Sequence, residues 1–140
     1  MSKADQEEPQ PFVANPITIS LADPISSLSW IGKSLLFAEL SRLAYGEPSE
    51  VGPVAYASGL DECEFIADAG AEVYVFGNRH DCVVVARGTE PTKWDDIRAD
   101  ANAWTIAIDV GKVHSGFHSH VDVLWPKIEQ VLRENQRPVW

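Results

Sequence analysis

The feature that most constrains the fold is an uninterrupted apolar run near the middle of the chain, Cys82–Ala86, which reads CVVVA. Its three consecutive valines favour a strand, and the run lacks the alternation of apolar and polar residues that marks a half-buried strand. Such a strand is buried on both faces, as in a sheet that carries helices on each side. The run therefore predicts a layered α/β domain with this strand inside its sheet.

The segments beside this run support the same architecture. Glu72–Phe76 predicts a second strand, and the turn-rich linker 77–81 between the two runs has the length of a hairpin loop. Apolar residues at helical spacing from Ser27 onward predict a helix of about four or five turns that ends at the sequence YGEP. The same spacing returns from Gly116 onward, and Pro126 is expected to kink or divide that second helix.

The remaining segments give weaker signals. Residues 1–24 are polar and rich in proline and predict an extended arm, which leaves 25–140 as one domain. Val54–Ala57 predicts a short strand, while 61–69 is compatible with either a helix or a strand. Residues 104–110 form a third apolar piece, and the sequence RPVW at 137–140 predicts the beginning of another strand.

The composition excludes some classes of function. The chain has 140 residues, a formal net charge of −10 and a pI of about 4.7, so it lacks the basic surface that nucleic-acid binding requires. No apolar run approaches the ~20 residues of a membrane span, and the N-terminus has no apolar core of a secretory signal. Cytoplasmic location is therefore expected, with signal-independent export left open. Cys63 and Cys82 are predicted to be buried thiols.

A cluster of histidines raises the alternative of a metal site. The sequence HSHVD at 118–122 resembles the metal-binding core of the metallo-β-lactamase superfamily, and His114 lies close by. However, Val123 stands where that motif has its next histidine. The apolar spacing also continues a helix through this segment, on which His118 and His120 would point about 200° apart. We therefore expect no metal and no other cofactor, and we keep a metal-dependent hydrolase only as an alternative function.

A set of short motifs, taken in order, resembles the class 3 (fungal-type) lipase family of α/β-hydrolases. The motifs are a helix ending in LAYGE (43–47), a strand ending in RGT (87–89), a polar segment with Trp and Asp, and VHSGF (113–117) opening a helix. The likeness runs from about Ser27 to Trp140. It implies the N-terminal portion of an α/β-hydrolase fold, with an incomplete central sheet and flanking helices.

The resemblance also implies roles for individual residues. Thr89 takes the place of the residue in the oxyanion hole, where donors aimed at the reacting oxygen stabilise the transition state. Residues 91–103 match the position of the family's lid, with Trp94 as its apolar anchor. The acidic residues of this segment make the lid hydrophilic, which favours soluble esters as substrates. Asp100 matches the aspartate at the end of the lid that orients the threonine, and Asp96 is its rival. Two further roles are structural: Arg87 is expected to form an ion pair, and His114 to lie outside the catalytic triad.

The catalytic serine, aspartate and histidine of that family have no counterpart in the 140 residues, which contain no G-x-S-x-G. In the family, a segment like RPVW leads into the nucleophile elbow GHSLG. We therefore expect the N-terminal part of a serine ester hydrolase or lipase, which acts on a lipid or small ester and is inactive alone. An oligomer or a complementary C-terminal segment would cover its open sheet edge. A non-catalytic binding or regulatory module of the same fold is the other alternative.

Overall fold

A computed structural model of the chain describes residues 14–88 and 105–140. In these two ranges the chain is a small α/β protein with a three-stranded and a two-stranded antiparallel sheet and three α-helices. A short 3-10 helix, Ile25–Ser27, precedes them. In chain order the elements are α1 (Trp30–Leu43), α2 (Pro48–Ala57), β1 (Glu62–Asp68), β2 (Ala71–Gly77), β3 (Cys82–Ala86), β4 (Thr105–Ile108), β5 (Gly111–His114) and α3 (Ser115–Arg133).

The larger sheet is an antiparallel meander in the order β1-β2-β3. The β1–β2 hairpin closes on the pair Asp68 and Ala71, so its loop has only two residues. Both loop residues have positive φ, 47° at Ala69 and 81° at Gly70, as the type I′ turn of a two-residue hairpin requires. The predicted hairpin between β2 and β3 is confirmed, with Gly77 opposite Cys82.

The C-terminal residues add a parallel partner to β3. Val139 forms a parallel bridge with Cys82. The Cys82 N–H donates to the Pro138 carbonyl (2.9 Å), the Trp140 N–H donates to the Cys82 carbonyl (2.9 Å), and the Val84 N–H donates to the Trp140 carbonyl (3.0 Å). The prediction that RPVW begins a strand is therefore confirmed. Since the bridge is parallel, this segment and β3 run toward the same edge of the sheet.

Helices cover both faces of the sheet, as the apolar run in β3 predicts. One core packs α1, α2 and the segment before α1 against one face, and the second core packs α3 against the other. Alternate residues of β3 belong to the two cores: Val83 and Val85 to the first, Cys82 to the second. Ile17 and Leu21 are buried in the first core, so residues 14–24, which form no helix or strand, pack against the domain.

The predicted helix before the first strands is confirmed. The Ser29 side chain accepts a hydrogen bond from the Gly32 N–H (3.1 Å) and caps α1, whose buried residues Leu36, Leu40 and Leu43 lie on one face. The prediction of a short strand at Val54–Ala57 is wrong, because these residues form the last turn of α2. This helix begins with Pro48 at a position that suits proline, and it buries residues one turn apart, Val51 and Ala55.

The structure also tests the predictions for residues 61–69, for Pro126 and for the two cysteines. Residues 62–68, left open between helix and strand, form β1. Helix α3 is one continuous helix that includes Pro126, so the proline does not divide it. Cys63 is exposed, so the prediction of two buried thiols is wrong for this residue, although Cys82 is buried. Cys63 lies on β1, the outermost strand of the sheet, and one edge of this strand has no neighbouring strand among the described residues.

None of the helices in the described ranges is both long enough and apolar enough to cross a membrane.

Candidate functional site at the carboxyl end of β3

The candidate site lies where β3 ends, because the RGT motif follows this strand directly. The Arg87 N–H still donates to the Glu72 carbonyl of β2 (2.9 Å), so the backbone remains in register one residue past the strand. Gly88 is exposed and is the last residue described before the gap at 89–104. The predicted oxyanion residue Thr89 and the predicted lid residues Trp94, Asp96 and Asp100 all lie in that gap, outside the described residues.

Arg87 forms the ion pair that the sequence predicts. Its guanidinium Nη1 lies 2.6 Å from a carboxylate oxygen of Glu72, and both side chains are largely shielded from solvent, at 17% and 31% exposure. The same guanidinium lies 5.7 Å from the centre of the Tyr45 ring, a distance at which a cation and an aromatic ring attract each other. These contacts hold the Arg87 guanidinium beside the end of β3, and we therefore assign Arg87 a structural role.

Gly88 allows a close approach between the end of β3 and the residue that follows α1. A Cβ atom at Gly88 would lie 2.6 Å from the Tyr45 hydroxyl oxygen, closer than non-bonded atoms come. Two of the sequence motifs, LAYGE and RGT, are therefore in direct contact although 43 positions separate Tyr45 from Gly88. The contact brings the Tyr45 hydroxyl and the exposed backbone of Gly88 together at the carboxyl end of β3.

A buried tyrosine fixes the backbone beside Tyr45. The Tyr74 hydroxyl donates a hydrogen bond to the Gly46 carbonyl (2.8 Å), and its ring packs against Phe65 and Phe76. Burial, with smaller contributions from nearby acidic groups, raises the pKa of Tyr74 to about 12, so the hydroxyl remains a donor at ordinary pH. Neither Tyr45 nor Tyr74 is predicted from the sequence as part of this site. The signal for Tyr45 was its place inside LAYGE.

His114 caps a helix, in agreement with the structural role predicted for it. It stands at the N-cap of α3, where its Nδ1 accepts a hydrogen bond from the Gly116 N–H (3.1 Å). Its ring meets the Phe117 ring edge-on at 5.5 Å. A Cβ at Gly116 would come within 3.2 Å of the imidazole, so the glycine of VHSGF leaves room for this cap.

The other histidines lie on the first turns of α3. His118 Nδ1 lies 2.8 Å from a carboxylate oxygen of Asp122, one turn further along the helix. His120 lies two positions from His118, on a different face of the helix. In the ranges 14–88 and 105–140, no three His, Cys, Asp or Glu side chains are grouped as metal ligands would be. The alternative of a metal-dependent hydrolase therefore gains no support.

The opposite, amino end of β3 holds a polar cluster that sequence reasoning missed. The buried Asp81 carboxylate accepts hydrogen bonds from the Ile25 N–H (2.8 Å) and from the Trp140 indole N–H (2.9 Å). Asn78 donates from its side chain to the Leu21 and Gly59 carbonyls and accepts from the Asp81 N–H. The cluster joins the segment before α1, the β2–β3 loop and the C-terminal strand.

Arg137 completes this cluster at the surface. Its guanidinium makes two hydrogen bonds of 2.8 Å to the Glu62 carboxylate and one of 2.7 Å to the Asn78 carbonyl. The hydrogen bonds with Glu62 raise the pKa of Arg137, which therefore stays charged. Every polar group in the cluster serves to connect chain segments, so we assign it to the fold rather than to a reaction.

Comparisons with models of protein families, with curated proteins and with solved structures find no match to this chain. The resemblance to class 3 lipases therefore rests on the motifs themselves and on the contacts between them.

Proposed function

We propose that these 140 residues form the oxyanion-binding part of a serine carboxylester hydrolase of the class 3 lipase type. In this proposal Thr89 donates to the oxyanion, Asp100 or its rival Asp96 orients Thr89, and 91–103, with Trp94, form the lid. The substrate is a lipid or another small ester, and the nucleophilic serine lies in a segment encoded after Trp140. We also propose that the described sheet and helices are the N-terminal part of an α/β-hydrolase fold.

The observation that carries the proposal is the contact of the LAYGE and RGT motifs at the carboxyl end of β3. In open α/β sheets of parallel strands, ligands bind outside the carboxyl ends of the strands, and the Cys82–Val139 bridge of β3 has this parallel sense. Gly88 presents such a backbone beside the Tyr45 hydroxyl. Thr89 follows Gly88 directly, at the position where the resemblance expects the oxyanion donor.

The parallel pairing of Pro138–Trp140 with β3 gives independent support. A strand that continues past Trp140 in this register would run along β3 toward Gly88. A nucleophile elbow at the end of that strand would then face Thr89 across the sheet edge. An oxyanion hole requires this juxtaposition, since its donors must surround the oxygen of the carbonyl that the serine attacks.

The first test reads the coding sequence downstream of Trp140 and assays the chain for hydrolysis of p-nitrophenyl butyrate. We expect a G-x-S-x-G elbow shortly after Trp140 and no turnover by the 140 residues alone. Unrelated downstream sequence would contradict the proposal and favour a non-catalytic module. Turnover by the chain alone, abolished by a serine-directed phosphonate, would contradict the assignment of the serine to a later segment.

The second test changes Thr89 in the complete enzyme. Thr89→Val keeps the backbone N–H and the shape of the side chain but removes the hydroxyl. We expect kcat to fall by about 10²–10³-fold with little change in KM, because an oxyanion donor acts mainly in the transition state. Thr105→Val, the same change at an exposed residue of β4 outside the lid, provides the matched control. Equal effects of the two changes on kcat would contradict the role given to Thr89.

A further inference from the structure

Strand β1 has an outer edge that no other described strand covers. It pairs only with β2, and the Asp68–Ala71 pair closes the two-residue hairpin. Backbone groups in such a pair bond across the hairpin, so the alternate residues Cys63, Phe65 and Ala67 direct their N–H and C=O groups outward. In agreement, the Ala67 carbonyl accepts a hydrogen bond from Lys127 Nζ (3.5 Å), which lies on α3.

A groove runs along this edge between β1 and α3. It consists of two adjoining cavities of about 520 Å³ and 300 Å³, which share Glu64 and Val131 in their walls. One wall is the backbone and side chains of β1, and the other is the C-terminal half of α3 with the residues that follow it. The groove is therefore long enough to follow most of β1, and it leaves room for side chains beneath an added strand.

The groove carries the carboxylate of Glu64, which is not neutralised by an ion pair with a described residue. The Glu62 carboxylate is paired with Arg137, and that of Asp68 is paired with Lys127. Glu64 lies between them on the same face of the strand, is exposed, and makes no ion pair with any residue of the described ranges. Glu134 lines the opposite wall of the larger cavity.

The next position on that face is apolar. Ile66 is 6% exposed and belongs to the core beneath α3. Side chains that stand opposite each other on neighbouring strands interact directly, so an added strand would meet a carboxylate and then an apolar side chain two residues apart. This pattern selects a strand with a basic residue opposite Glu64 and an apolar residue opposite Ile66.

We propose that the outer edge of β1 binds an extended, basic segment of a partner protein as an added antiparallel strand. The outward N–H and C=O groups of Cys63 and Phe65 and the outward N–H of Ala67 supply the backbone hydrogen bonds, and Glu64 supplies the charge selection. A second copy of this chain is a poor occupant, because it carries a net charge of −10 and would bring the same acidic strand to the edge. The proposal is independent of ester hydrolysis.

The test uses a fluorescent peptide as long as β1 in which one Lys and one Val stand two residues apart on the same face, with Thr at the other positions, and a Glu–Val peptide of the same design as its counterpart. We expect fluorescence anisotropy to show binding of the Lys–Val peptide only. Hydrogen exchange at the amides of Cys63, Phe65 and Ala67 should slow in the complex, while exchange in β3 stays unchanged. Electrostatic attraction without strand pairing would leave the exchange at these three amides unchanged, and that result would overturn the proposal.

Two variants separate the charge from the backbone pairing. Glu64→Lys should weaken binding by at least about tenfold, whereas Asp23→Lys, the same charge change at an exposed site, should change it less than about twofold. Ala67→Pro removes one outward N–H on an edge strand, where proline is tolerated, and should weaken binding about fivefold. Equal effects of Glu64→Lys and Asp23→Lys, or a dimer of this chain that Ala67→Pro dissociates, would overturn the proposal.

Discussion

The two ends of β3 differ in how their polar groups are used. At the amino end, the Asp81 carboxylate and the Asn78 amide are buried, and each makes hydrogen bonds to chain segments far away in sequence. At the carboxyl end, the Arg87–Glu72 ion pair and the Tyr45 hydroxyl lie beside a glycine whose backbone is exposed. One end therefore joins segments of the fold, and the other leaves its backbone accessible.

This difference separates stability from function within one strand. Buried polar groups that lack partners cost free energy, so an end that satisfies all its groups internally is suited to hold the fold together. An exposed glycine at the end of a rigid strand contributes little to stability, but it can bring backbone donors to a ligand. We therefore expect substitutions at the amino end to lower the free energy of unfolding more than substitutions at the carboxyl end do.

The largest expected effect is that of Asp81→Ala. The change leaves the Ile25 N–H and the Trp140 indole N–H without their acceptor, and it should lower the free energy of unfolding by about 3 kcal/mol. Urea unfolding followed by tryptophan fluorescence measures it. Asp23→Ala, an exposed acid near Ile25, should change stability by less than about 0.5 kcal/mol. An Asp81→Ala effect as small as this control would remove the distinction between the two ends.

A smaller loss is expected for Tyr74→Phe. The change removes the hydrogen bond to the Gly46 carbonyl and should cost about 1–2 kcal/mol in unfolding free energy. The difference from the unchanged protein should be greatest below pH 10 and should shrink as the pH rises toward 12. This follows because the folded pKa of Tyr74 is about 12 and the unfolded value is 10, so deprotonation favours the unfolded chain in this window. Urea titrations at pH 8 to 11 measure it, and a constant difference would contradict the burial of the hydroxyl.

The smallest effect, Gly88→Ala, tests the contact at the carboxyl end. The new Cβ would meet the Tyr45 hydroxyl oxygen at 2.6 Å, whereas the ring carbon that bears it lies at 3.7 Å, an ordinary contact. Gly88→Ala should therefore cost about 1 kcal/mol, and less in a Tyr45→Phe background, which lacks the hydroxyl. A double-mutant cycle by urea unfolding measures the coupling. Strictly additive effects would show that the two motifs do not touch.

Much of the fold could be predicted from local patterns. The strands β2 and β3 and the helices α1 and α3 have strong apolar patterns, and each of these predictions is confirmed. One exception is α2, where Val54–Ala57 is predicted as a short strand because Gly52 and Pro53 before it disfavour a helix interior. Val51 and Ala55 pack in the first core, and this packing stabilises the segment as a helix. The local sequence does not show that contact.

The site was harder to predict than the fold. The RGT motif marks the end of β3, but the contact that requires its glycine comes from Tyr45, which is distant in the chain. Asp81 looked like a loop residue, because only the folded chain brings the Ile25 N–H and the Trp140 indole to its carboxylate. The ion pair predicted for Arg87 is confirmed, and His114 caps α3, in agreement with a structural role. The roles of Thr89, Trp94 and Asp100 stay predictions.

The most direct test of the central claim titrates the ¹⁵N-labelled chain with butylphosphonate, an anion that resembles the tetrahedral oxyanion of ester hydrolysis. We expect amide chemical shifts to change at Arg87, Gly88 and Thr89 and to stay constant at Asn78 and Asp81. Thr89→Val should reduce the changes at the carboxyl end, and butylamine, a cation of similar size, should not produce them. Shifts at the amino end of β3, or none at Arg87–Thr89, would contradict the assignment of the carboxyl end as the oxyanion site.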